Sequence, residues 1–378
     1  MNNDDKSHFL TFKINPSQSV SLDETDPGKL MDAAHDLISV GQYEKASKYI
    51  ERVLSLHPDY LEALYAKGLI LYYTDMFDDA IKILSSVIES APDFDPAWEA
   101  LGGCYLHLGL LEQAIEHFKK AYELDPNETQ YLLDIAITYS EMSEWNKAIE
   151  YLNELIAKEP QMPEAYYNLG TIYLQIGKVK EALEKLYLAI ELDPDYAEAF
   201  NNIGSCYEHL GDLENAERFY RIAIEKEPHD SQMHSNLALV LLQKDQTREA
   251  LKYAEKAIEL DDENVDAVFA KAMCLMNLEK TEEGVKYFER AAELNPDDSY
   301  IWNNLGTGYF ELGNYDKALK AFEKALELEP ESAWAFSNLG ETYEALGEKA
   351  KAIEYFKKAL KLNPNLQIAK DHLKDLES

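Results

Sequence analysis

The sequence predicts an all-α fold built from tandem helix-turn-helix hairpins stacked into a solenoid. Prolines recur on one 34-residue lattice, two columns of small residues keep step with them, and large apolar residues fall between them at helical spacing. The prolines are Pro58, Pro92, Pro126, Pro160, Pro194, Pro228, Pro296, Pro330 and Pro364, and Asp262 fills the single gap in register. A chain of 378 residues exceeds the usual size of one compact core, so a one-dimensional array is the economical reading.

With the proline set at repeat position 32, each column has a mechanical task. Position 8 is always Gly or Ala (Gly68, Gly102, Ala136, Gly306 among them), and position 20 is Ala throughout except at Gly284. Small residues there let two helices approach closely. Position 11 is always Leu or Tyr, and position 24 is large and apolar except at Ala254; with positions 4 and 7 they give each helix one apolar stripe. Glycine at position 15 (Gly41, Gly109, Gly177, Gly211, Gly313, Gly347) ends the first helix in a left-handed conformation. Proline at position 32 follows the second helix, since it lacks an N–H and disfavours helical geometry before it. Asp26-Pro27 and Asp95-Pro96 read as an N-cap followed by proline at the first helical position.

The array therefore runs over residues 27–366 as one continuous stack. Residues 367–378 read as a final helix with a polar outer face that caps the last repeat. Residues 1–26 lie outside the lattice and are expected to be flexible. Within them Phe9-Leu10-Thr11-Phe12-Lys13-Ile14 alternates like a short strand, which leaves open docking into the array, pairing with a partner's sheet, or disorder.

Composition narrows the function. A net charge of −35 would repel phosphate backbones, so nucleic acid and anionic membranes are poor partners, and a basic or apolar protein surface is the natural complement. The same charge also serves solubility alone. No apolar run is long enough to span a membrane. Cys104, Cys206 and Cys274 form no zinc spacing or disulfide framework, which suits a reducing, cytoplasmic setting. They share position 10 on the packed side of the first helix. No phosphate loop, nucleophile elbow or H-E-x-x-H motif occurs, so no catalytic, metal or cofactor site is expected. His107 and His209 share position 13 but lie three repeats apart, and His234 stands in an apolar column as a tolerated core residue.

Trp98-Glu99-Ala100-Leu101-Gly102-Gly103-Cys104-Tyr105 and Trp302-Asn303-Asn304-Leu305-Gly306-Thr307-Gly308-Tyr309 resemble the tetratricopeptide repeat signature, and the register holds over about nine-tenths of the chain. That resemblance implies a right-handed superhelix whose concave wall comes from the first helix of each hairpin, with positions 2, 5, 6, 9, 12 and 13 facing the groove. Those positions contain no Lys or Arg in any repeat, and they carry carboxylates such as Glu62, Glu99, Asp134, Glu208 and Asp266. Chaperone-adaptor members of the family grip an acidic C-terminus with basic groove residues. Here those residues are missing, so a neutral, apolar or basic segment is the expected guest.

Two apolar patches interrupt the polar wall. One comprises Tyr65, Leu69, Tyr72, Tyr73, Leu106, Leu133 and Ile137; the other comprises Leu239, Leu242, Phe269, Met273, Met276 and Phe310. Such patches mark interaction sites, unless curvature buries positions 9 and 12 against the next repeat. Tyr300 and Trp334, both at position 2, are candidate aromatic anchors. Position 6 adds a column of Asn168, Asn202, Asn236, Asn304 and Asn338, broken at Ala270. It is similar to the asparagine ladder with which O-linked N-acetylglucosamine transferases hold a peptide backbone, and it reads equally as helix-to-helix bonding within the stack.

The expected function is a non-enzymatic scaffold that binds an apolar or basic segment of a partner protein; a self-associating rod is the alternative. Replacing Asn168, Asn202 and Asn236 together by Ala is predicted to weaken partner binding while helix content by circular dichroism stays unchanged. Unaltered affinity would remove the ladder from the binding surface.

Overall fold

The computed structural model describes residues 20–377, which contain twenty-one α-helices and no strand. Packing divides the chain after Lys178 into two compact units, where the repeat lattice alone reads as uninterrupted. The first unit holds α1 (Pro27–Ser39), α2 (Tyr43–Leu56), α3 (Leu61–Tyr73), α4 (Phe77–Ser90), α5 (Asp95–His107), α6 (Leu111–Leu124), α7 (Gln130–Glu141), α8 (Trp145–Lys158) and α9 (Pro163–Gln175). The second holds α10 (Val179–Leu192), α11 (Ala197–His209), α12 (Leu213–Lys226), α13 (Ser231–Gln243), α14 (Thr247–Leu260), α15 (Val265–Asn277), α16 (Thr281–Leu294), α17 (Ser299–Glu311), α18 (Tyr315–Leu328), α19 (Ala333–Ala345), α20 (Lys349–Leu362) and α21 (Gln367–Glu377). Within each unit successive helices pack on one another, and none is long and apolar enough to cross a membrane.

Close approach within a pair comes from position 8. At Gly306 an added Cβ would lie 2.5 Å from the Phe322 ring, and at Gly102 it would lie 2.6 Å from Phe118. Gly204 and Gly340 stand in the same relation to Tyr220 and Phe356. A large position-24 ring thus fills the space that a position-8 side chain would need. Where position 24 shrinks to Ala254, position 8 is Ala238, and both are fully buried.

The turn inside each hairpin repeats one geometry. The N–H at position 15 bonds the carbonyl at position 12 and that at position 16 bonds position 11, as in Gly41 to Ile38 (2.9 Å) and Gln42 to Leu37 (2.8 Å). This is a Schellman closure, which requires a left-handed residue at position 15. The six glycines supply it, but Asp75, Ser143, Asp245 and Glu279 adopt it too, with φ of 57–60°. Stacking therefore holds four residues with a Cβ in a conformation that favours glycine.

Repeats are tied to one another at position 4. Trp98 and Trp302 donate their indole N–H to the carbonyls of Pro92 and Pro296, at 2.9 and 2.8 Å. His234 takes the same place, with Nε2 3.0 Å from the Pro228 carbonyl, so this buried histidine substitutes for an indole.

One expectation about helix starts needs amending. Asp26 does cap α1, accepting from the Gly28 N–H at 3.0 Å. Asp95, by contrast, is already inside α5; Phe94 occupies the cap position, and the Asp95 carboxylate accepts a 2.6 Å bond from the Tyr131 hydroxyl of α7. Ahead of α1, the Val20 carbonyl accepts from the Tyr49 hydroxyl at 2.7 Å and residues 21–24 form a turn. The strand-like residues 9–14 lie outside the described residues.

Replacing Ser143 or Glu279 by Gly is predicted to raise stability by about 1 kcal/mol each by relieving the left-handed strain. Gly306→Ala is predicted to lower it by about 1–3 kcal/mol through overpacking against Phe322. Urea unfolding followed by circular dichroism orders the three variants, and the reverse order would contradict the assignment.

Candidate partner-binding surface

In the second unit the first helices enclose an open hollow of about 380 Å³. Its apolar lining comprises Leu239 and Leu242 from α13, Val265, Phe269 and Met273 from α15, and Ile301 from α17. Tyr300, 59% exposed, stands at the edge with its ring 5.3 Å from that of Phe269. Four of the six residues expected in the second apolar patch line this hollow. The other two do not. Met276 folds onto the backbone-lined space at Gly284, where an added Cβ would meet its sulfur at 2.9 Å, and Phe310 packs against Tyr315 at 5.5 Å. Trp334, 58% exposed on α19, is not among the lining residues.

Three carboxylates border the hollow: Glu208 on α11, Asp266 on α15 and Asp298 at the start of α17. Neutral donors orient each one. Glu208 accepts from the Gln243 amide at 2.6 Å and from the buried Tyr220 hydroxyl at 3.0 Å. Gln232 donates to Asp266 at 2.8 Å and to the Asn236 side-chain oxygen at 2.9 Å. Asp298 accepts from the backbone N–H groups of Tyr300 (2.8 Å) and Ile301 (3.3 Å). Asn277 and Gln243 complete the polar lining, and no Lys or Arg belongs to it.

The first unit has a smaller hollow of about 300 Å³, lined by His35 and Ile38 of α1, Leu61, Glu62, Tyr65, Ala66 and Leu69 of α3, and Phe94. Tyr65 meets Phe94 edge-on at 5.0 Å, and burial pushes its hydroxyl well above its ordinary value. The rest of the first apolar patch is largely consumed by packing. Leu69 is 1% exposed and reaches the hollow only by its surface; Tyr72 and Tyr73 are 5% and 6% exposed. The Tyr72 hydroxyl lies 3.0 Å from Nε2 of His107, whose ring stacks on Phe77 at 4.9 Å. Leu133 is buried, whereas Leu106 and Ile137 are half-buried against the core built by α6 to α9. These tyrosines form the interior between repeats, because positions 9, 12 and 13 of α3 are covered by their neighbours.

Glu99 shows the same effect in a charged residue. It belongs to the expected acidic wall, yet it is 9% exposed. Loss of hydration, reinforced by the carboxylates of Asp134, Glu128 and Asp95, pushes its pKa up to about 9. Burial beside these carboxylates therefore favours the protonated form of Glu99.

The asparagine column is half-buried and already engaged within the chain. Asn168 and Asn304 donate to backbone carbonyls one turn earlier, Glu164 and Tyr300, each at 2.8 Å. Asn236 and Asn338 donate across to the Asn201 and Asn303 side chains of the preceding first helix, at 3.0 and 2.9 Å. Asn202 also has an interaction partner within the chain. Cys104, Cys206 and Cys274 are buried, and burial pushes their thiols up to about 12, far from an activated nucleophile.

The Cilia and flagella-associated protein 70 C-terminal domain family matches residues 60–273, and the Tetratricopeptide repeat family matches residues 263–328 and 297–365. No curated protein sequence matches. Among solved structures, the chain is similar to one in the APC/C hetero-tetramer Cut9-Hcn1, at 15% identity and a TM-score of 0.57, covering 94% of this chain and 97% of that one. It is similar to PilF of Pseudomonas aeruginosa at 19% identity and a TM-score of 0.51, covering 56% and 97%. A repeat protein of Parabacteroides merdae gives 24% identity and a TM-score of 0.51 over 66% and 99%. These likenesses support the fold.

The raised Glu99 value carries a stability prediction. The folded chain keeps a proton that the unfolded chain releases near pH 4.5, so the contribution is fully present below that pH and is lost as pH climbs toward about 9. Glu99→Gln, which keeps shape without charge, should gain stability over the parent as pH rises through this window. Thermal midpoints of both proteins between pH 5 and about 9 test it; a constant difference would contradict the assignment.

Proposed function

We propose that this chain, which belongs to the tetratricopeptide repeat family, is a non-enzymatic interaction scaffold that seats a partner segment against the first helices of its second unit. The hollow formed by Leu242, Phe269, Met273 and Ile301 carries this reading. It is apolar at its floor, polar at its edge and open, the arrangement in which one buried anchor side chain dominates an interface. Burying a Leu- or Phe-sized anchor there contributes about 1.5–3 kcal/mol. Met273 adapts its shape to the guest, and Tyr300 can close over it.

The asparagine column supports the surface indirectly, by fixing the first helices beside one another. The smaller hollow at Tyr65 and Phe94 is a second seat of the same kind in the first unit. Three buried, free thiols suit a reducing, cytoplasmic setting.

Affinity capture from the native source tests the reading, comparing the parent with Phe269→Ala/Met273→Ala. The expected result is a protein retained by the parent and lost by the variant, with equal helix content. Identical capture by both would contradict it. Light scattering on the same pair covers the alternative: self-association of the parent that the variant abolishes would assign the face to a second copy.

A further inference from the structure

The carboxylates around the second-unit hollow hold charge that the chain does not neutralise. Among the described residues, no Lys or Arg pairs with Glu208, Asp266 or Asp298, although ion pairs are common elsewhere on the second unit. Their hydrogen bonds come from neutral amide, hydroxyl and backbone donors, which fix direction and leave the negative charge in place. A carboxylate offers about four lone-pair sites, so each retains capacity for an incoming donor. Glu208 stands on α11 and Asp298 immediately before α17, the outermost of the four helices that form the hollow, and most of the apolar floor lies on α13 and α15 between them.

We propose that this seat selects a segment with a bulky apolar residue flanked on both sides by Lys or Arg. The apolar side chain enters between Leu242, Phe269 and Met273; one cation meets Glu208, and the other meets Asp266 and Asp298. The inference rests on the scaffold reading and adds the chemistry of the guest. Because the three acids are oriented before the guest arrives, binding gains charge-assisted hydrogen bonds with little ordering cost on the scaffold side.

A net charge of −35 attracts any cation, so the test must separate this site from the general field. Fluorescence anisotropy would use four labelled peptides: a central Leu-Phe pair flanked by two lysines on each side, the same centre flanked by glutamines, the same centre flanked by glutamates, and the lysine flanks around Gly-Ser. The proteins are the parent, Glu208→Gln/Asp266→Asn/Asp298→Asn, Phe269→Ala/Met273→Ala, and a charge-matched control on second helices, Glu225→Gln/Glu282→Gln/Glu283→Gln.

The lysine-flanked Leu-Phe peptide should bind the parent at least about tenfold tighter than the other three. The rim triple variant should lose about tenfold for it, while the charge-matched control changes less than about twofold. Equal binding of the lysine- and glutamine-flanked peptides, with both weakened by Phe269→Ala/Met273→Ala, overturns the cation selection and leaves the scaffold reading standing. Equal losses in the rim and control variants, or equal binding of the Gly-Ser peptide, reduce the effect to the general field and overturn the proposal. Peptide binding that ignores Phe269→Ala/Met273→Ala removes the seat, and the scaffold reading falls with it.

Discussion

All but one of the hairpins close because a residue with little or no side chain lies beneath a large one on its partner helix, the exception being Ala238 against Ala254. Gly306 under Phe322 and Gly102 under Phe118 leave no room for even a methyl group, so the ring, not the backbone, sets the helix separation. The Schellman turn that joins the helices fixes their angle, strongly enough that Ser143 and Glu279 accept a left-handed backbone. With both constraints met, each second helix spends its apolar stripe on its neighbours. The first helices are left side by side, with one face still to be used.

That face becomes a hollow where the lattice departs from its own rule. Position 24 is small at Ala254, proline is replaced by Asp262, the asparagine column breaks at Ala270, and position 20 loses its methyl at Gly284. The departures fall between α14 and α16, and α15 among these helices supplies Val265, Phe269 and Met273 to the hollow. Ala270 and Ala254 remove polar and bulky groups from the interface with Ala238, and Gly284 draws Met276 inward, away from the open side. The repeat keeps its turns and caps across these departures. Asn264, for example, still caps α15 through a 2.9 Å bond to the Ala267 N–H.

The fold was legible because it is periodic. Proline, small-residue and aromatic columns each report one local contact, and those contacts recur every 34 residues. Legibility ended where a residue's environment depends on a neighbour of variable size. Asp75 and Asp245 give no glycine signal, yet the helices on either side impose the same turn on them. Leu69, Tyr72, Tyr73 and Glu99 share column numbers with wall residues, but the adjacent repeats cover them. Side-chain amides were the least readable, because the partners of Asn236 and Asn338 lie on another helix and at another position. Four of the six residues of the second apolar patch line one hollow, because Leu239, Leu242, Phe269 and Met273 are neighbours in repeat number as well as in space. The acidic rim was visible only in part: Glu208 and Asp266 belong to wall columns, whereas Asp298 lies in the loop before α17.

The proposed seat of a partner chain is the first-helix face of the second unit. Site-specific photocross-linking measures this most directly, with p-benzoylphenylalanine placed at Tyr300 beside the hollow or at Tyr187, an exposed aromatic on α10, a second helix of the same unit. Position 300 is expected to capture a partner protein in the native lysate, and position 187 is not. Equal capture at both positions, or capture at 187 alone, would contradict it.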